Sequence, residues 1–182
     1  MQTNASQEKF EKKLEQQHSL LKSLFGELFQ TERSAMKHPR REAERLGGPP
    51  AQAMTAVADH AKGIFAELCA VARASDAPVS RAGMALGSVL SIARHLVLDR
   101  TVEAERSYRA TLLGMRHGVD LVKLIRKLAD ASGKVELAGF CTRWLEEREP
   151  LVDRVESAMG WFAEHPKRAA EKPRTFRRRA HA

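Results

Sequence analysis

The sequence predicts an all-α protein: an antiparallel four-helix bundle with a short extra crossing helix and a disordered basic C-terminal tail. Three observations lead there. Four stretches of roughly 25 to 33 residues place apolar side chains at helical spacing, giving each stretch one apolar stripe and a charged opposite face. Aromatic residues are only 5% of a chain rich in Ala, Leu, Glu, Lys and Arg, and no run alternates β-branched or aromatic with polar residues as a strand does. The breaks between the stretches are sharp: Gly47-Gly48-Pro49-Pro50, Ser75-Asp76-Ala77-Pro78 and Ser132-Gly133.

The first helix is expected over residues 5–37, with Phe10, Leu14, Leu21, Leu24, Phe25, Leu28 and Met36 on one face. Pro39 is expected to end or kink it, leaving a short helical turn from Arg40 to Leu46. The second, about 50–74, turns Met54, Val57, Ala61, Ile64, Phe65, Leu68 and Val71 inward. Ser80 suits the N-cap of a short crossing element over 80–98, rich in small and apolar residues. Another long helix runs from about 101, with Thr101 as a possible cap, to 131. It carries one apolar row of Tyr108, Leu112, Met115, Val119 and Val122, and beside it a second of Leu113, Leu121, Leu124 and Leu128. So wide an apolar arc predicts contact with more than one neighbour. The glycines at 83, 87, 114 and 118 are spaced for helix packing. The last helix, 134–165, aligns Cys141, Leu145, Val152, Val155, Met159 and Phe162, with Arg148 and Pro150 interrupting the stripe.

At 182 residues the chain suits one domain, residues 1–165, followed by a tail, 166–182. The net charge of +8 belongs mostly to that tail. From Pro166 onward there are seven Lys/Arg against one Glu, so the first 165 residues carry only +2. Two prolines and no apolar periodicity predict a disordered segment. Lys167, Arg168, Lys172, Arg174, Arg177, Arg178 and Arg179 are candidates for contact with nucleic acid or another anion, although the single aromatic, Phe176, gives little stacking. The start, MQTNASQEKFEKK, lacks the pattern of a secretory signal, and no stretch is apolar enough for a transmembrane segment, which points to a cytoplasmic protein. Cys69 and Cys141 both lie on apolar faces and read as small buried hydrophobes in a reducing compartment, with a disulfide as the alternative. No Ser/His/Asp or Cys/His set can be assembled, and no glycine-rich phosphate loop is present, so the reading leans toward a protein that is not an enzyme.

The segments LFQTER (28–33) and HGVDLVKLIRKLADASGKVELAGFCTRWLEER (117–148) resemble those of ferritin-like bundles, nearest to the bacterial YciE/YciF stress-protein type. That resemblance implies a dinuclear metal site in the bundle core, built from inward carboxylates and Glu-x-x-His pairs. Carried onto this chain, the ligand set is reduced to Glu32, His60, His117 and Glu147. Ala61, Lys62 and Gly63 follow His60, Gly118 and Val119 follow His117, and Pro150 stands three residues after Glu147. No Glu-x-x-His occurs. The expectation is therefore no cofactor, with Fe, Mn or Zn on those four residues as the alternative. For both histidines a partly buried, hydrogen-bonded ring is the simpler account.

Polar residues on apolar stripes need partners, because an unpaired ion in a bundle core costs several kcal/mol. Glu32 lies in line with Leu21, Phe25, Leu28 and Met36, Glu105 with Tyr108 and Leu112, and Arg148 is central in the last stripe. The expectation is that Arg148 takes the space of the missing metal and forks onto Glu32 or Glu105. The alternative is a stem that merely snorkels along the core. Function is then expected to lie in protein–protein contact, self-association included. A divergent metal-binding oxidase and a DNA-associated protein acting through its tail are the alternatives.

Overall fold

The computed structural model describes residues 2–77 and 103–172, and among them every regular element is helical, with no strand. The helices are α1 (Gln2–Leu46), α2 (Gly48–Ala74), α3 (Ala104–Ala131), α4 (Val135–Ser157), α5 (Gly160–Glu164) and α6 (Pro166–Ala169). No helix among the described residues is long and apolar enough to cross a membrane. The element expected over 80–98, its cap Ser80, Gly83, Gly87 and the possible cap Thr101 lie outside the described residues.

α1 does not stop at Pro39; it continues to Leu46. A proline inside a helix removes one backbone hydrogen bond and crowds the carbonyl four residues back, at a cost of about 3 kcal/mol. Packing on both sides of it offsets that cost, since Ala35 and Leu46 are buried, and so is the Pro39 ring. α4 runs through Pro150 in the same way, with Val152 and Val155 buried beyond it. It ends at Ser157, however, short of the expected 165. The chain turns at Ala158 and Met159, and the short α5 folds Phe162 against Tyr108, ring centroids 5.2 Å apart. Trp161 reaches Gly48, where a Cβ would sit 3.3 Å from the indole nitrogen. Gly48 also has φ +61°, so glycine serves this corner twice over.

The register of the helices follows from named contacts. Arg40 pairs with Asp59 while Phe29 meets Phe65, so rising numbers on α1 face falling numbers on α2. Glu42 meets Ser107 and Thr31 meets Gly118 between α1 and α3. Tyr108 donates to the Val155 carbonyl at 2.8 Å, and Lys123 pairs with Glu149, between α3 and α4. His60 meets Arg148 and Glu67 meets Arg143 between α2 and α4. The core these contacts enclose includes Phe25, Leu28, Met54, Val57, Leu68, Tyr108, Val122, Ile125, Phe140, Cys141 and Trp144. A Cβ on Gly118 would lie 3.0 Å from the Thr31 methyl, so this glycine does let α3 approach α1; Gly114 faces open space and has no such role.

Three expected core positions are exposed instead: Leu14, Leu113 and Leu124. The outer row of α3 thus has only Leu121 fully buried and Leu128 half-buried, because α1 and α4 between them cover the inner row and leave the far edge of the arc to solvent. The expected boundary at 165 also shifts. Residues 166–172 are seated on the helices: Arg168 Nη2 donates to the carbonyls of Arg45 (3.0 Å) and Leu46 (2.7 Å), and the Ala104 amide donates to the Glu171 carbonyl (2.9 Å). An Arg on the last carbonyls of α1 satisfies acceptors that the helix end leaves open. Of the tail candidates, Lys167, Arg168 and Lys172 are therefore part of the folded body, and Arg174, Arg177, Arg178 and Arg179 lie outside the described residues.

Candidate functional site

Where α1, α2 and α4 converge, the apolar stripes carry a connected polar chain. Glu32 enters from α1 and is fully buried. Arg148 enters from α4 with 1% of its surface exposed. Its Nη2 donates to Glu32 Oε2 at 2.7 Å, and its Nε donates to His60 Nδ1 at 2.9 Å. On the other side of the ring, His60 Nε2 lies 3.0 Å from Glu147 Oε2, whose side chain is more than half exposed. The chain therefore runs from solvent to core as carboxylate, imidazole, guanidinium, carboxylate. Trp144, one turn before Arg148, lays its ring under the guanidinium, 4.7 Å from Cζ to centroid, and meets His60 edge-on.

The geometry fixes the form of His60. An Nε–H of arginine can only donate, so Nδ1 must be the bare nitrogen and Nε2 must carry the hydrogen that Glu147 accepts. Burial and the Arg148 charge both push the His60 pKa down, and Glu147 opposes them only in part. The ring is neutral near pH 7. Burial likewise pushes Glu32 up, against the pull of Arg148, and pushes Arg148 down, against the pull of Glu32. An Arg so close to a carboxylate stays protonated, so the pair is ionic. The guanidinium does not fork onto one carboxylate. It is divided between Glu32 and His60, and Glu32 Oε1 and the Trp144 indole N–H have no hydrogen-bond partner among the described residues.

The other candidates lie elsewhere. Glu105 is not a partner of Arg148: it sits on the outer side of α3, pairs with Arg109 one turn on, and lines an open surface groove with Arg106, Leu113 and Arg116. The spacing that put it in line with Tyr108 and Leu112 places it at the edge of the buried arc. His117 is half exposed and meets Glu27 of α1 at 2.8 Å, away from Glu32 and His60. The four residues that a metal would need do not meet. Two of them, Glu32 and His60, are both occupied by a fixed cation, whose charge repels a second one. Among the described residues no three His, Cys, Asp or Glu side chains are grouped to hold a metal ion. The donor set does not fit the metal centre that the sequence resemblance implies.

The two cysteines differ in burial, Cys69 being half-buried and Cys141 enclosed. Both are free thiols; Cys141 is buried, and burial pushes it up to about 12, so it stays protonated.

A second buried carboxylate was not foreseen. Glu42 accepts from Ser107 Oγ at 2.9 Å and from Arg45 Nη1 at 3.0 Å. The signal for it is in the sequence. Leu21, Phe25, Leu28, Glu32, Ala35, Pro39, Glu42 and Leu46 form one continuous stripe once α1 is allowed to pass Pro39.

No protein-family model matches this sequence, and no curated protein or solved structure matches it either.

Proposed function

We propose that this protein is a non-enzymatic four-helix bundle of ferritin-like connectivity, in which Arg148 holds the central position that metals hold in that architecture, and that it acts by protein–protein contact. The observation that carries this reading is the division of the Arg148 guanidinium between Glu32 and His60 at 2.7 and 2.9 Å. A permanent cation there consumes the only two candidate ligands that face the core. The connectivity is supported by the contact register. α2 and α3 each oppose α1, and α4 opposes both, as in a bundle whose middle connection returns along its length. Contact as the mode of action is supported by Leu113 and Leu124, three helical turns apart on the outer row of α3 and exposed by 69% and 42%. Self-association through that row is the simplest such contact.

Metal analysis of protein purified without chelator tests the reading. The expected result is no Fe, Mn or Zn approaching one equivalent per chain. A stoichiometric metal that is lost in Glu32→Gln would overturn it.

A further inference from the structure

Only one of the two Glu32 oxygens is used. Arg148 Nη2 donates to Oε2, while the buried Oε1 has no hydrogen-bond partner among the described residues. A carboxylate facing a guanidinium commonly takes two parallel N–H donors. Here Nε, one of the donors such a fork can use, is drawn aside to His60 Nδ1 at 2.9 Å. The second oxygen of Glu32 and the imidazole of His60 therefore compete for one cation.

A proton decides that competition, because Nδ1 accepts only while it is bare. Charged groups reach the ring from two helices. From α4 come Arg148, against Nδ1, and Glu147, 3.0 Å from Nε2. From α1 comes Glu32, behind the guanidinium. On α2 itself the neighbouring Asp59 is paired with Arg40 of α1, and Lys62 is exposed. The His60 side chain is 10% exposed and that of Glu147 57%, so the ring lies near the solvent end of the polar chain with a carboxylate outside it. An imidazolium has no acceptor nitrogen left. It repels Arg148 and is attracted outward by Glu147.

We propose that His60 and Arg148 form an acid-operated switch between two pairings: protonation turns the His60 ring out onto Glu147, Arg148 closes as a fork onto both oxygens of Glu32, and the middle of α2 is released from α4. This rests on the reading that Arg148, and not a metal, holds the core position. In the neutral state one continuous chain ties α2 to α1 and α4. In the acid state it is divided into two ion pairs, one buried between α1 and α4 and one at the surface. The proton comes from solvent and ends on Nδ1, forming the second N–H of the ring. Neither pairing leaves an unpaired ion in the core. Burial and Arg148 hold the pKa of the resting ring below 6.5, whereas a ring turned out to water and Glu147 is free of both. The turned-out form therefore gains on the resting one by about tenfold per pH unit as pH falls from the ordinary value toward the resting pKa. Arg40–Asp59 and Phe29–Phe65 still hold α2 to α1, so the release is local.

The test is an NMR titration of the full chain between about pH 7.5 and 5, following the His60 ring nitrogens, Arg148 Nε and backbone amide exchange in wild type, His60→Gln and Glu147→Gln. In wild type the His60 and Arg148 Nε signals are expected to move together, with one midpoint below 6.5. Amide exchange over residues 57–64, corrected for its intrinsic pH dependence, should speed up by about tenfold per pH unit, while amides around Glu32 and Arg148 keep their protection. His60→Gln should abolish the step, since the amide keeps an acceptor for Nε and does not titrate. Glu147→Gln, an exposed change, should lower the midpoint, because Glu147 favours the charged ring. The proposal is overturned if Arg148 Nε stays unmoved while His60 titrates, if the step survives in His60→Gln, if the midpoint does not fall in Glu147→Gln, or if α1, α2 and α4 lose protection together. A His60 ring fixed throughout and insensitive to EDTA overturns the proposal alone. A fixed ring that moves on adding EDTA overturns the reading beneath it as well.

Discussion

Glu32 and Glu42 stand on the same buried stripe of α1, ten residues apart, and the fold answers them differently. Glu42 is met by Arg45 from its own helix and by the Ser107 hydroxyl, at the end of the molecule where Arg45 still reaches water. Glu32 is met by a cation 116 residues away, itself buried and tied onward to His60 of α2. The first arrangement meets a carboxylate with one cation from its own helix and one neutral hydroxyl from α3. The second makes one ionic contact depend on three helices being in register at once. A buried ion pair is weak evidence for stability, because desolvation cancels most of the attraction, but breaking one side of it is costly. Glu32 and Arg148 are therefore better understood as specifying how α1, α2 and α4 sit together than as adding net stability.

The largest expected effect follows from that asymmetry. Arg148→Met leaves Glu32 buried without a cation and should lower the unfolding free energy by about 3 to 5 kcal/mol, measured by denaturant titration. Adding Glu32→Leu to it should return most of the loss, since the apolar pair needs no compensation. If the single variant is as stable as wild type, the pair is not the register device described above.

Next in size is a pH effect at His60. Its folded pKa lies below the ordinary value of 6.5 because burial and Arg148 disfavour the cation. The associated stability is therefore fully present above that value and is lost as pH falls below it toward the folded pKa. Protonation would put a second donor against the Arg148 Nε–H. The difference in unfolding free energy between wild type and His60→Gln should shrink on acidification from pH 7 through 6. A constant difference would show that Nδ1 does not accept from Arg148.

The smallest effect belongs to Glu42 and its neutral partner on α3. Ser107→Ala removes one neutral donor to Glu42 while Arg45 remains, and should cost about 1 kcal/mol, read from the same titration. A loss as large as that of Arg148→Met would erase the contrast between the two carboxylates.

Periodicity made the helices readable, since stripes such as Leu21–Phe25–Leu28 and Cys141–Leu145–Val152 need no tertiary information. It also marked Glu32 and Arg148 as exceptions on their stripes. What it could not supply was relative rotation between helices. Glu105 and Glu32 look alike on a single helical wheel, yet one lies at the solvent edge of α3 and the other faces α4. His60 as the second acceptor for Arg148 depends on the register of α2 against α4, which no spacing within one helix encodes. A helix end at Pro39, one of the two outcomes expected there, and disorder at residues 166–172 failed for a common reason: local propensity argued for a break or for disorder, and contacts with other parts of the fold, Leu46 and Ala104 among them, outweighed it. Glu42 was lost with the Pro39 reading, because ending the helix there cut the stripe that reveals it.

The central claim is that Arg148 and Glu32 are coupled in the core, and a double-mutant cycle measures that directly. Unfolding free energies of wild type, Glu32→Gln, Arg148→Met and the double variant give the interaction term. The account predicts a coupling on the order of 3 kcal/mol, with the double variant more stable than Arg148→Met alone. Additive losses, with coupling near zero, would contradict it.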